Sequence, residues 1–181
     1  DEIIGHVYEK VELPDPTTLS IINRKKPDMP PEKYLPYVND ESMIPPMANF
    51  GDGYRYHVTG LIHDETGFPT NDSNTIESML LRLNYKLEKY QDEILQYEET
   101  DTVDAKIGLV AYGSSARSAR YAMRAARAEG IPVGMLRIQT LWPFPTGAIY
   151  KFGKQLSHII VPEMNLGQIA HEVEHAVRGQ V

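Results

Sequence analysis

The chain's hydrophobic pattern is sharpest in its second half. Ile107–Tyr112 is a continuous apolar run, the signature of a parallel strand covered on both faces. A glycine turn follows, then an alanine- and arginine-rich stretch, Ser115–Glu129, that predicts a helix stopped by Gly130. Val133–Ile138 reads as the next strand. A short helix starts near Thr146, and HIIVPEMNLGQ repeats the order strand, loop, helix. The pattern βαβαβα predicts an α/β fold: a small parallel sheet with flanking helices and right-handed crossovers.

Upstream the pattern changes twice. Ile76, Met79, Leu80, Leu83, Leu87, Tyr90, Ile94 and Tyr97 recur at steps of three and four, predicting one amphipathic helix of about six turns. Asn74 with Glu77 is its expected N-cap pair. Such a stripe suits covering a neighbouring domain or pairing with another helix. Before it, Tyr54, Tyr56, Val58 and Leu61 alternate as a β-prone stretch, and HDETGFP has turn chemistry. Residues 1–50 carry eight prolines, at 14, 16, 27, 30, 31, 36, 45 and 46, interleaved with Tyr34, Leu35, Tyr37, Val38, Met43 and Ile44. Proline at that density favours extended chain, and the apolar residues between suggest a segment laid over another surface. The expected organisation is therefore the end of a preceding domain plus an extended Pro-rich segment over 1–44, then an α/β domain over 45–181. Within that domain the core is 103–181, and 50–100 supplies the β-prone stretch and the long helix.

Composition narrows the chemistry. A length of 181 residues suffices for one good core with appendages. The formal charge of −7 argues against a nucleic-acid binder, and no apolar run reaches membrane-spanning length. With no cysteine, this chain can supply neither disulfides nor a thiolate nucleophile nor cysteine ligands to zinc or iron–sulfur. No leader signal is evident, so a cytoplasmic location is expected. The opening DEIIGHVYEKV, abrupt and without Met, reads as the interior of something longer.

Five local patterns invite functional readings. AHEVEHAV contains the H-E-x-x-H spacing of zinc peptidases, placing His171 and His175 on one helix face. A catalytic zinc needs a third ligand and only six residues follow His175, so an exposed helix face is the expected role and no metal site is assigned. Gly51-Asp52-Gly53 resembles the start of a Mg–diphosphate signature, but NDSN follows too closely and no strand precedes it. GSSAR, at the carboxyl end of the first predicted strand, offers Ser114, Ser115, backbone N–H groups and Arg117 to an anion or partner; helix capping is the competing reading. PEMNLGQ, at another strand end, offers Glu163, Asn165, Gly167 and Gln168, again with capping as the alternative. HDETG sets His63 beside Asp64 and Glu65, enough for hydrogen bonding or acid–base work, or simply a polar turn.

The stretches DEIIGHVYEKVELP, YRYHVTGLIHDETGFPTND, VAYGSSARSARYAMRAAR, GMLRIQTLWPFP and VPEMNLGQIAHEVEHAV span nearly the whole chain. In that order they resemble the C-terminal part of the α subunit of 2-oxoacid:ferredoxin oxidoreductases, and GHVYEKV favours the 2-oxoglutarate branch. The resemblance implies a transketolase C-terminal-domain-like fold for the third zone. It implies conversion of a 2-oxoacid, coenzyme A and oxidised ferredoxin to acyl-CoA, carbon dioxide and reduced ferredoxin. It also implies that thiamine diphosphate, Mg and an iron–sulfur cluster belong to the full complex, none being bound by this chain alone. Implied partners are the pyrimidine-binding domain of the same subunit, the β subunit, and ferredoxin through the complex. The catalytic groups would lie elsewhere; in this chain His63, Asp64 and Glu65 would form a loop toward the substrate pocket. The rival expectation is a stand-alone assembly or ligand-binding module of the same fold.

Overall fold

The computed structural model describes residues 7, 10, 12–20 and 23–178. DEIIGH, expected to close a preceding domain, lies outside them. The chain divides into two compact units, Tyr8–Tyr90 and Gln91–Val181, the latter grouped with Asp1–Val7. The expected boundary near residue 44 thus falls inside the first unit.

In the Gln91–Val181 unit four strands form one sheet in the order β1-β3-β2-β4. They are β1 (Tyr97–Thr100), β2 (Ile107–Tyr112), β3 (Val133–Ile138) and β4 (His158–Ile160). β2 runs parallel to β3 with Ile107 opposite Val133 and Tyr112 opposite Ile138, and parallel to β4 with Ile107 opposite His158. β1 is antiparallel to β3, with Glu98 facing Arg137. The helices are α3 (Ser115–Ala128), α4 (Thr146–Gly153) and α5 (Gln168–Val177), after the one-turn α2 (Gln91–Ile94).

Strand alternation splits the core into two layers. Leu109, Ala111, Val133 and Met135 pack on one face against Ala116, Ala119 and Met123 of α3. Val110, Leu136 and Ile138 pack on the other against Ile149 and Phe152 of α4 and Val173 and Ala176 of α5. Both faces are therefore buried, which is why β2 reads as an unbroken apolar run and β3 is interrupted only at Arg137.

The antiparallel β1 was not anticipated. Tyr97, expected to end the long helix, instead pairs with Ile138, and Gln96 anchors the strand's start by accepting from the N–H groups of Gln139 and Thr140.

In the Tyr8–Tyr90 unit, α1 spans Ser73–Lys89, shorter than the periodicity predicts. Its N-cap is Asp72, not Asn74: the Asp72 carboxylate accepts from the Thr75 N–H at 2.8 Å and from the Thr75 hydroxyl. A carboxylate caps and also suits the positive end of the helix. Leu80, Leu81 and Leu83 remain exposed, and the one buried residue of α1 is Arg82.

The β-prone stretch forms no named strand among the described residues. Tyr54 and Tyr56 alternate because both rings turn to Tyr34, with edge contacts at 5.0 and 6.3 Å. Their hydroxyls donate to the carbonyls of Met29 and Ala48. Tyr34, itself buried, donates to Pro46 O and accepts from Ala48 N. Tyrosine hydroxyls thus take the backbone acceptors that a proline-rich segment cannot pair in a ladder. That segment makes short 3-10 turns at Pro16–Thr18 and Pro31–Lys33; its residues 12–20 are exposed, whereas Tyr34 and Tyr37 pack on Tyr54, Tyr56 and His63 of the same unit.

Candidate functional site

HDETG forms a tight hairpin. His63 bridges Pro69, Thr70 N–H donates to Ile62 O, and Asp64 N–H donates to Phe68 O. Gly67 takes φ +97°, and an added Cβ would meet Pro36 Cγ at 3.1 Å, so the position needs glycine twice over. Asp64 is the hairpin's staple. Its Oδ1 accepts from the N–H groups of Thr66 and Phe68 and from the Thr66 hydroxyl at 2.6 Å. The Thr66 hydroxyl, ahead of the opposing desolvation, holds this carboxyl below the usual range. Asp64 is thus committed to the turn, the geometry of an Asx turn.

His63 is buried at 3% exposure, its ring stacked on Tyr37 at 4.8 Å and 9° and its Nε2 3.0 Å from Thr59 Oγ1. Tyr37 ties the neighbourhood together: its hydroxyl donates to His57 O and its N–H to Glu65 O. Glu65 accepts from Asn39 N–H at 3.4 Å.

Beside this loop opens a cleft of about 520 Å³, walled by Tyr37, His63, Glu65, Thr75, Ser78 and Arg82 among others. Arg82 is the residue the sequence reading missed. It is 6% exposed, with one terminal nitrogen on the carbonyls of Tyr37 and Val38 at 2.9 and 3.0 Å and the other on Met79 Sδ; Nε has no partner. Burial lowers its pKa, against which Glu65 and Asp40 act electrostatically. A signal for it existed. Ser78, Met79, Tyr85 and Lys86, its neighbours at three and four residues, include no carboxylate, so this arginine had no ion-pair partner on its own helix.

At the carboxyl ends of the sheet, the two predicted loops do different things. Glu163 caps α5: its carboxylate accepts from Ala170 N–H at 3.0 Å and Ile169 N–H at 3.2 Å, and from the Tyr112 hydroxyl at 3.4 Å. Asn165 Oδ1 accepts from the N–H groups of Gly167 and Gln168, while its amide donates to Tyr112 at 2.6 Å. Gly167 takes φ +94° at the cap position. Asn165, Gly167 and Gln168 therefore build the start of α5.

GSSAR differs. Ser114 makes no side-chain cap, and Gly113 takes φ +55° with open space around it. Ser114 and Arg117 wall a cleft of about 430 Å³ together with Gly113, Ala116, Arg120 and Arg137. Ser115 begins α3 but is not in that wall. Beside the cleft, Glu98 of β1 accepts from Arg120 through both carboxylate oxygens at 2.8 Å and from Arg137 at 3.4 Å. The Arg120 hydrogen bonds, foremost, lower its pKa.

His171 and His175 are exposed on α5, which buries Val173 and Ala176 instead. No group of three metal-ligating side chains occurs among the described residues. Gly51 and Gly53 lie in a polar turn closed by Asp52, which accepts from Asn49 N–H.

Residues 105–181 match the pyruvate:ferredoxin oxidoreductase core domain II. The chain is 44% identical over 178 residues to the 2-oxoglutarate synthase subunit KorA of Methanocaldococcus jannaschii, covering 98% of this chain and 47% of that one. It is 39% identical to the ketoisovalerate oxidoreductase subunit VorB of Methanothermobacter thermautotrophicus over only 105 residues, 58% of this chain and 30% of that one. Among solved structures, the 2-oxoglutarate:ferredoxin oxidoreductase from Magnetococcus marinus, with 2-oxoglutarate, coenzyme A and succinyl-CoA bound, superposes with a TM-score of 0.77 at 32% identity. That match covers 90% of this chain and 29% of that one. The chain thus spans about half the length of the curated relative it matches along nearly all of its own length. By both sequence and fold, it belongs to the family of 2-oxoacid:ferredoxin oxidoreductase α subunits.

Proposed function

We propose that the chain is part of an enzyme that oxidatively decarboxylates 2-oxoglutarate to its acyl-CoA, with ferredoxin as electron acceptor. One observation carries the substrate: likeness to a 2-oxoglutarate synthase subunit extends over 98% of this chain, whereas likeness to a ketoisovalerate oxidoreductase subunit covers 58%.

Thiamine diphosphate would supply the nucleophile and electron sink of such a reaction. The residues here do not fit that group, its Mg or a cluster: the chain has no cysteine, and the Gly51-Asp52-Gly53 turn lacks a spaced asparagine pair. On this reading they belong to partner segments, a pyrimidine-binding domain of the same subunit and a β subunit, with ferredoxin met through the complex.

The contribution of this chain is architectural, with one stretch assigned toward substrate. We place the HDETG cleft at the edge of the substrate pocket, supported by a buried imidazole held by Thr59 and Tyr37 that lines the same cleft as a buried guanidinium. A bare carboxylate would repel a dianionic 2-oxoacid. Asp64 is occupied by its turn and Glu65 lies in the field of Arg82, so neither carboxylate acts directly.

The test is reconstitution of the full subunit with its thiamine-binding partner, followed by coenzyme A-dependent reduction of ferredoxin with 2-oxoglutarate, 2-oxoisovalerate and pyruvate. The expected order of kcat/KM puts 2-oxoglutarate first. A preference for either other acid would overturn the substrate assignment, and no reduction with any 2-oxoacid would overturn the function.

A further inference from the structure

The basic cleft at the end of β2 and β3 has no part in that reading. Its wall contains three guanidiniums, those of Arg117, Arg120 and Arg137, and no carboxylate. Such a concentration is unusual on a chain of net charge −7, where scattered acidic side chains would be the default neighbours. The cluster is built into the fold. Arg137 sits in β3 directly opposite Glu98 of β1, and Arg120 lies in the second turn of α3, where it reaches the same carboxylate. Glu98 therefore fixes two arginines in place, yet one carboxylate carries half their combined charge. It also engages each through a single terminal nitrogen.

We infer that this cleft is a binding site for a phosphate-ester or diphosphate anion. Planar guanidinium forks match phosphate oxygens in pairs, and pre-placed forks lose little freedom on binding. A single carboxylate is already provided by Glu98, so the surplus calls for a ligand of higher charge density. A volume of about 430 Å³ holds such a group and leaves room for what it is attached to. The positive-φ Gly113 leaves the wall open where a side chain would otherwise stand, and the uncapped Ser114 offers a hydroxyl. The α3 N-terminus adds to a site that the arginines define.

The probe is radiolabelled pyrophosphate in equilibrium dialysis against the full-length chain. Saturable binding with a submillimolar Kd is expected, weakened about tenfold or more by Arg137→Gln and by Arg120→Gln. Glu98→Gln should act in the opposite direction, tightening binding several-fold, because it removes the competing carboxylate. A purely structural cluster would not do that. Arg178→Gln, which breaks an ion pair with Glu174 on α5, should leave Kd unchanged.

Displacement by coenzyme A would identify a phosphate borne on a nucleotide, and displacement by orthophosphate alone a free one; both support the site. The inference is overturned if pyrophosphate fails to saturate below about 10 mM, if the arginine variants bind as well as the parent, or if only an acidic protein surface binds. Should an arginine variant fail to fold, the sign of the Glu98→Gln effect decides alone. Because the readout is binding, loss of 2-oxoacid turnover bears on the functional reading and not on this one.

Discussion

Replacing Glu163 tests whether PEMNLGQ is a structural cap. Two of the first N–H groups of α5, those of Ile169 and Ala170, end on this one carboxylate. Glu163→Ala removes a side-chain cap, about 1 kcal/mol, and a negative charge at a helix N-terminus, about 0.3–1 kcal/mol. The Tyr112 hydroxyl also loses an acceptor, but that bond is long at 3.4 Å and Asn165 still contacts the oxygen, so it adds little. The sum, about 1.3–2 kcal/mol, corresponds to a fall in Tm of roughly 3–8 °C for a chain of this size.

The same carboxylate predicts a pH signature. Desolvation pushes its pKa up, but the N–H of Ala170, the Asn165 amide, the N–H of Ile169 and the Tyr112 hydroxyl together prevail and hold it below its ordinary value of 4.5. A depressed folded-state pKa contributes stability that is present above the unfolded value and lost as pH falls through the folded one. The Tm gap between the parent and Glu163→Gln should therefore be full at pH 7, begin to close below about pH 4.5, and vanish in stronger acid. Circular dichroism melts at pH 7, 5, 4 and 3 read both effects. A Glu163→Ala Tm within 1 °C of the parent, or a Gln gap unchanged from pH 7 to 3, would refute the cap.

Two further substitutions probe the two units separately. Gly108→Ala should destabilise the sheet unit by about 1–3 kcal/mol in urea titration, because the new methyl runs into Leu156 and comes within 2.9 Å of Phe152. A neutral result would mean α4 has room to move. Arg82→Met keeps the volume but strands the carbonyls of Tyr37 and Val38, so hydrogen exchange around Leu35–Asn39 should accelerate with a loss of about 1–3 kcal/mol; unchanged protection would show the arginine is not a structural anchor.

The difference between what was readable in the sequence and what was not has a physical cause. β2, α3 and β3 were legible to within a residue or two, because burial on both faces leaves β2 without a charged position and β3 with only Arg137, and Gly130 must stop the helix at φ +83°. β1 was not, because Tyr97–Thr100 is an edge strand of four residues whose first aromatic also continues the helical spacing of α1. Hydrophobic periodicity cannot separate a helix's last turn from a short edge strand, since the deciding interaction, pairing with β3, is non-local. Tyr54 and Tyr56 erred the other way: alternation was real, but it served ring contacts and not a ladder.

The missed strand also concealed a site. With Tyr97 in a helix, Glu98 has no place near Arg120 or Arg137, and only Arg117 is placed beside the glycine turn. Once β1 pairs with β3, Glu98 stands opposite Arg137 and within reach of Arg120, and a scattered set of charges becomes a shaped cationic cleft. Arg82 shows the same dependence on non-local pairing. Its partners are carbonyls 44 and 45 residues away in the proline-rich segment, so its burial could not be inferred from α1 alone. In both cases local pattern named the elements, and long-range contacts decided which charges became a site.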